Sequence, residues 1–365
     1  MSEFVCKESG KPYPQEGMPY RCLESGGYYD LTRPPFFHPN SIERDLPGMW
    51  RYRHAFALFD GAPVVSLGEG DTPLVWDEYN GAEIGLKLES LNPTGSYKDR
   101  GTAVLVSQLL ARGVSEAVED SSGNAGASFA AYAARAGIKA RVFVPEYASG
   151  PKQAQIEAYG AELIGVPGER ASATQAALKE VENGAVYASH AYLPFGLPGI
   201  ATIAYELWEA LGDNPVTIVA PVGHGGLLRG VMSGFAALHQ QHLIPYQPYY
   251  VGVQARACAP LWAGFWQGPE VMDMVEQGES LAEGILIREP SQGKKLLENV
   301  RDEKGEFVAV EEVEIAEAHV ALAHRGVYVE PTSAVVWAAL EQIVGKVPEP
   351  IIVIMTGAGL KQSLG

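Results

Sequence analysis

The sequence predicts an α/β protein built from parallel sheets covered by helices, and three observations predict it. Short apolar runs at 140–145, 217–221 and 351–355 are separated by stretches of helical periodicity, the pattern of strands buried on both faces. Several runs end in turns of small residues that open the next helix, which is where open parallel sheets place their ligands. The length of 365 residues suffices for two packed cores, since single domains usually hold about 100–200 residues. The expectation is two lobes with a cleft between them.

Composition narrows the function classes. Forty-four acidic residues against 27 basic ones give a net charge of −17, which opposes nonspecific binding to nucleic acid or to anionic lipid. No apolar run approaches the roughly 20 residues of a membrane span, and the first residues lack a basic-then-apolar signal. The cytoplasm is the expected location. Three cysteines, an odd number, argue against a secreted disulfide framework.

Taken in order, Cys6-Lys7-Glu8-Ser9-Gly10 and Cys22-Leu23-Glu24-Ser25-Gly26 repeat a Cys-x-x-Ser-Gly unit. The pair looks like a two-knuckle zinc ribbon in which each second cysteine has become serine. Neutral hydroxyls are poor zinc ligands, so no metal is expected there. Residues 28–60, rich in Pro, Arg and aromatic side chains, read as an arm crossing the body of the protein. Leu67-Gly68-Glu69-Gly70-Asp71-Thr72-Pro73-Leu74 is a Gly/Pro turn, and 83–88 alternates as a short strand.

In Asn92-Pro93-Thr94-Gly95-Ser96-Tyr97-Lys98-Asp99-Arg100-Gly101, Pro93 and Gly95 predict a turn, Ser96 a helix cap, and 102–112 a helix. Lys98 then stands at a helix mouth, among backbone N–H groups at the positive dipole end. An amine so placed is suited to form a Schiff base with an aldehyde cofactor.

Strands follow at 118–119, 140–145, 161–165 and 185–189. The first leads through Ser121-Ser122-Gly123-Asn124-Ala125-Gly126 into an alanine-rich helix over 127–135. Small residues there let N–H groups approach an anion such as a substrate carboxylate, and the Asn124 amide can hydrogen-bond a phenolate oxygen. After the strand at 217–221, Val222-Gly223-His224-Gly225-Gly226-Leu227 opens a helix reaching about 240. Glycines between strand and helix leave N–H groups open to a phosphate. Neither Gly-x-Gly-x-x-Gly spacing nor a P-loop lysine is present, which sets dinucleotides and nucleoside triphosphates aside. A strand at 249–254, the turn Leu281-Ala282-Glu283-Gly284-Ile285 and the helix start Glu330-Pro331-Thr332-Ser333-Ala334 precede the last strand, 351–355, which ends at Thr356-Gly357-Ala358-Gly359-Leu360-Lys361.

Over about residues 60–365 these segments resemble, in family order, the motifs of fold-type II (tryptophan synthase β-like) pyridoxal-phosphate enzymes. The Lys-Asp-Arg-Gly and Thr-Gly-x-Gly-Leu-Lys elements are most similar to the threonine synthase-like members; Tyr97 and His224 depart from the usual residues. The resemblance implies pyridoxal 5'-phosphate as cofactor and Lys98 as the residue that binds it and then carries protons. It implies Gly223, His224, Gly225, Gly226 and Leu227 around the phosphate, Asn124 at the ring oxygen and Thr356 at the ring nitrogen. Thr72 and the run Ser121, Ser122, Gly123, Asn124 and Ala125 are implied for the substrate. It further implies a homodimer organised as an N-terminal arm with the ribbon remnant (1–45), a large cofactor-binding domain (46–90 and 207–365) and a small mobile domain (91–206) whose closure excludes water.

The implied substrate is a small amino acid altered by elimination or replacement at its β or γ carbon. Threonine synthases carry Asn-x-x-Asn-Pro-x-Arg-x-x-Gly after the small domain's last strand, holding the substrate's phosphate. Here the chain reads His190-Ala191-Tyr192-Leu193-Pro194-Phe195-Gly196-Leu197-Pro198-Gly199, with His190, Leu193 and Gly196 in place of the asparagines and the arginine. Ala282-Glu283-Gly284 also resembles β-eliminating members, where threonine synthases usually have Ala-Thr-Ala. The expectation tilts toward a lyase of the dehydratase or ammonia-lyase type acting by β-elimination or β-replacement. The alternative is a threonine synthase converting O-phosphohomoserine to threonine and phosphate.

Overall fold

A computed structural model describes residues 4–58, 61–148, 150–214 and 216–361; residues 1–3 of the N-terminal segment and 59–60 of the predicted arm lie outside them. The chain begins with β1 (Phe4–Cys6) and β2 (Tyr29–Leu31), then β3 (Leu74–Tyr79) and β4 (Ala82–Lys87). Helices and strands then alternate: α1 (Lys98–Ala111), β5 (Glu116–Glu119), α2 (Asn124–Ala136), β6 (Lys139–Pro145), α3 (Pro151–Ala158), β7 (Glu162–Val166), α4 (Arg170–Glu182), β8 (Val186–Tyr187) and α5 (Leu197–Leu211). The second run is β9 (Thr217–Pro221), α6 (Gly226–Gln240), β10 (Tyr249–Ala255), α7 (Pro260–Gln267), α8 (Gly293–Asp302), β11 (Glu306–Val310), α9 (Glu312–His324), α10 (Pro331–Ala338), α11 (Leu340–Ile343) and β12 (Ile351–Ile354).

The chain divides into two units, one holding residues up to Gly70 with Asn92–Thr202, the other Asp71–Leu91 with Ile203–Lys361. In the first, β5, β6, β7 and β8 form a parallel sheet of order β7-β6-β5-β8. Val118, Phe143, Ala173, Ala177 and Tyr187 form its core against α4. The strand expected over 185–189 is reduced to two residues, because only Val186 and Tyr187 find partners on β5. Residues 46–70 group with this unit because Glu69, fully buried, accepts from the Trp50 indole at 2.5 Å and the Tyr132 hydroxyl at 2.6 Å.

In the second unit the sheet order is β11-β10-β9-β12-β4-β3, parallel except for β3, which runs antiparallel to β4. Strand β3 is not among the sequence expectations. Asn80 and Gly81, at φ +50° and +84°, join it to β4, the left-handed pair that a two-residue hairpin turn demands. The central strands β9 and β12 are buried throughout, which explains why they read as unbroken apolar runs.

The first segment forms β1 and β2, paired antiparallel with Cys6 opposite Tyr29. Its knuckles face each other: Cys6 Sγ lies 3.2 Å from Ser25 Oγ, and Ser9 Oγ lies 3.3 Å from Cys22 Sγ. The Arg112 guanidinium on the loop after α1 donates to the Pro14, Gln15 and Gly17 carbonyls and stacks on Tyr13 and Phe195, seating the ribbon on its own unit. Restoring both thiols, Ser9→Cys with Ser25→Cys, is expected to create a four-thiolate site holding one zinc per chain. Elemental analysis after dialysis against a chelator checks it, with no stoichiometric zinc expected in the unaltered protein. At free zinc 1,000-fold above Kd the metal should add about 4 kcal/mol of stability.

Candidate active site

In the first unit, Lys98 is the opening residue of α1, four positions earlier than the helix predicted at 102, with Nζ 4.9 Å from the centroid of the Tyr97 ring. Ser96 does not cap this helix. Tyr97 occupies the cap position with helical angles, Ser96 gives its carbonyl to the Asp99 N–H at 3.3 Å, and the Ser96 hydroxyl has no partner among the described residues. The fixing group is instead Asp99. Its fully buried carboxylate accepts from the Thr94 N–H at 2.7 Å, the Thr94 hydroxyl at 2.6 Å and the Ser128 hydroxyl at 2.7 Å. Such charge-assisted bonds make burial of a carboxylate tolerable, and here they lock the loop before Lys98 to α1 and α2.

The 121–125 run lies between β5 and α2, with Ser121, Ser122 and Gly123 in the connection and Asn124 and Ala125 in the first helical turn. The Ser121 hydroxyl accepts from the Gly123 N–H at 3.3 Å. Any side chain at Gly126 would collide with the Ser121 carbonyl, so the loop folds tightly over the helix start. Two glutamines of α3 connect the two loops: Gln153 Nε2 donates to the Ser122 carbonyl at 2.8 Å and Gln155 Nε2 to the Thr94 carbonyl at 3.2 Å. Lys98 and residues 121–125 are therefore brought together within one unit.

Segment 194–199 lies against the first turn of α1. Arg100, fully buried, donates to Thr202 Oγ1 at 2.9 Å. A side chain at Gly199 would strike the Arg100 carbonyl, and a Cβ at Gly196 would lie 3.2 Å from the Gly101 carbonyl oxygen. Leu193 is buried.

In the second unit, β9 delivers the chain into the glycine-rich turn and α6 begins at Gly226. Gly225 has φ +89°, which only glycine adopts without strain. The first intrahelical bond here runs from Arg229 N–H to the Gly225 carbonyl, so the N–H groups of the preceding turn have no partner within the helix. Apart from its chain neighbours and its own helix backbone, no heavy atom of the described residues lies within 4 Å of where a Cβ at Gly226 would stand. An anion fits that space, with donors and a helix dipole directed at it.

A chain of contacts joins this turn to Thr356. A Cβ at Gly223 would lie 3.2 Å from Ile285 Cα; the Gly284 N–H donates to Thr332 Oγ1 at 3.1 Å; and the next residue, Ser333, has Oγ 2.8 Å from Thr356 Oγ1. The motifs at 223–227, 281–285, 330–334 and 356 thus meet at the carboxyl ends of adjacent strands β9 and β12. Thr72 belongs to the same unit: its hydroxyl donates to Glu89 Oε1 at 2.6 Å and its carbonyl accepts from Lys87 Nζ at 2.6 Å. Within the second unit, a glycine turn that opens a helix suits an anion such as a phosphate; within the first, the amine of Lys98 is of the kind that condenses with an aldehyde.

Residues 65–357 match the family model described as pyridoxal-phosphate dependent enzyme. The chain belongs to this family, depends on pyridoxal phosphate and has the type II fold. Within it, the threonine synthase of Methanocaldococcus jannaschii is 33% identical over 375 residues, covering 98% of this chain and 92% of the relative. That of Mycobacterium leprae is 35% identical over 322 residues, covering 85% and 87%. Among solved structures, maize serine racemase superposes with a TM-score of 0.68 at 23% identity over 80% of this chain and 89% of that one. The serine racemase of Dictyostelium discoideum gives 0.66 at 23% identity over 80% and 93%. Among the described residues no helix is long and apolar enough to cross a membrane.

Proposed function

We propose that this protein converts O-phosphohomoserine to threonine and phosphate. The observation that carries the reading is similarity to a threonine synthase over 98% of the chain, together with a site whose motifs occur in the order of that family. Bound pyridoxal phosphate supplies an electron sink that acidifies the substrate's Cα–H. Lys98 would hold the cofactor, and its amine would take the proton from the substrate's Cα and return it. The 223–227 turn would hold the cofactor's phosphate, Asn124 would hydrogen-bond its ring oxygen, and the neutral Thr356 hydroxyl would serve its ring nitrogen. Ser121, Ser122, Gly123, Asn124 and Ala125, with Thr72, hold the substrate, and exclusion of water protects the reacting carbons.

A second reading, β-elimination or β-replacement on a substrate without a γ-phosphate, has its own support. With Leu193 buried and a Cβ at 196 hard against Gly101, segment 190–199 offers neither the asparagines nor the arginine that suit a phosphate. Losing one charge-assisted bond of this kind removes about 1.5–3 kcal/mol, or roughly ten- to a hundredfold in affinity. The relatives favour threonine formation all the same. To decide, the holoenzyme is offered O-phosphohomoserine, serine, threonine, O-acetylserine and diaminopropionate while phosphate, threonine, keto acid and ammonia are measured. Threonine and phosphate from O-phosphohomoserine are expected. Keto acid and ammonia from a hydroxy amino acid, with O-phosphohomoserine untouched, would replace the first reading by the second.

A further inference from the structure

Glu119 ends β5, two residues before Ser121. Its side chain is 1% exposed; Oε1 lies 3.4 Å from His190 Nδ1, and Oε2 has no hydrogen-bond partner among the described residues. A buried carboxyl with an unused oxygen needs a reason, because buried polar groups are nearly always hydrogen-bonded. Its neighbour Asp120 shows the contrast: that carboxylate is engaged by the Thr174 hydroxyl at 2.5 Å and the Tyr187 hydroxyl at 2.7 Å.

The charged and titratable groups that face Glu119 come from four directions: Asp120 beside it, Lys98 at the start of α1, Arg170 at the start of α4, and His190 beyond β8. Burial first, and then the Asp120 charge, raise the Glu119 carboxyl well above the usual carboxylate range, while Lys98 and Arg170 pull the other way. The protonated form is therefore favoured, which turns the unused oxygen into a hydrogen-bond and proton donor. The group stands at the carboxyl end of a parallel strand, where such sheets bind ligands, and within the electrostatic reach of Lys98.

We propose that Glu119 is a catalytic acid–base residue that exchanges a proton with the oxygen on the substrate's Cβ, with His190 as its partner. The inference rests on the reading of Lys98 and loop 121–125 as the substrate site. In dehydration, Lys98 takes the Cα proton, the Cα–H electron pair forms the Cα–Cβ double bond, and the Cβ–O pair leaves on oxygen. The Glu119 O–H proton then moves to that oxygen to give water. Threonine formation ends with the same step reversed: water's oxygen bonds Cβ, its proton goes to the Glu119 carboxylate, and Lys98 returns a proton to Cα. The role of Glu119 therefore holds for either substrate reading.

The test compares wild-type holoenzyme with Glu119→Gln, using serine, threonine and O-phosphohomoserine in D2O. Exchange of the Cα–H, which needs Lys98 alone, should persist in the variant within about threefold. Keto acid or threonine formation should fall on the order of 10²–10⁴-fold with KM little changed, and one limb of the pH–rate profile should vanish; Glu119→Asp should recover part of the rate. A cofactor-free readout accompanies it. A carboxyl whose folded pKa is raised contributes stability that is present at low pH and lost as pH rises from the ordinary carboxylate range through its folded value. Without that titration, Glu119→Gln apoprotein should gain melting temperature relative to wild type as pH rises. Unchanged turnover in the variant, or exchange and turnover lost together, overturns the proposal while leaving the site reading intact. A wild type that exchanges the Cα–H of none of the three substrates overturns both.

Discussion

Lys98→Ala is expected to abolish covalent attachment of pyridoxal phosphate and to lower turnover by at least about 10³-fold. The fold should survive, because Asp99 and Arg100 fix the first turn of α1 through Thr94, Ser128 and Thr202 whatever stands at 98. The turn at 223–227 proposed for the phosphate lies between β9 and α6, so cofactor is expected to bind noncovalently still, with loss of the visible absorbance that attachment gives. Borohydride reduction of the unaltered protein followed by peptide mapping checks the assignment: the pyridoxyl group should be found on Lys98. Recovery on another lysine would remove Lys98 from its role.

Lys87, buried in the second unit, carries the second large effect. Its Nζ lies 2.6 Å from Glu206 Oε2 with side chains 3% and 4% exposed, and it also donates to the Thr72 carbonyl at 2.6 Å. Glu206 in turn accepts from the Asp71 N–H at 2.8 Å. Removing one partner strands a buried charge, so Lys87→Ala or Glu206→Ala is expected to cost about 3–5 kcal/mol, a fall in Tm on the order of 10 °C. Lys87→Met with Glu206→Leu should recover much of this, since the intact pair is offset by its own desolvation. Denaturant unfolding of the two single variants and the double variant gives the coupling directly. Single variants within about 1 kcal/mol of wild type would show that the pair is not stabilising.

How much of this was legible follows from the range of each interaction. The motifs around Lys98, Ser121, Gly223 and Thr356 were readable because each is a local device, a few residues that shape a turn at a strand end. Asn80-Gly81 was equally local, and its hairpin, β3 to β4, could have been read from the dipeptide. Ser96 misled because a hydroxyl before a helix usually caps it, whereas here Asp99 satisfies the loop from inside the helix. The Lys87–Glu206 pair spans 119 positions, and the bond from Gln155 to Thr94 spans 61; no neighbouring residue hints at either. Glu119 was hidden for another reason, since a carboxylate at the end of a short strand looks solvated until neighbouring strands and helices cover it.

The position of β12 has a consequence for the order in which the protein is made. Among the described residues this strand follows all the others in sequence, yet it lies between β9 and β4, pairing with both. Until residues 351–354 have emerged from the ribosome, β4 and β9 each lack their neighbour on one edge. The sheet of the first unit, whose strands all lie within residues 116–187, can close while synthesis continues. Synthesis is thus asymmetric: the strands of the first unit's sheet are all made by residue 187, whereas the second sheet waits for residues 351–354, its edges open to chaperones or to aggregation in the interval.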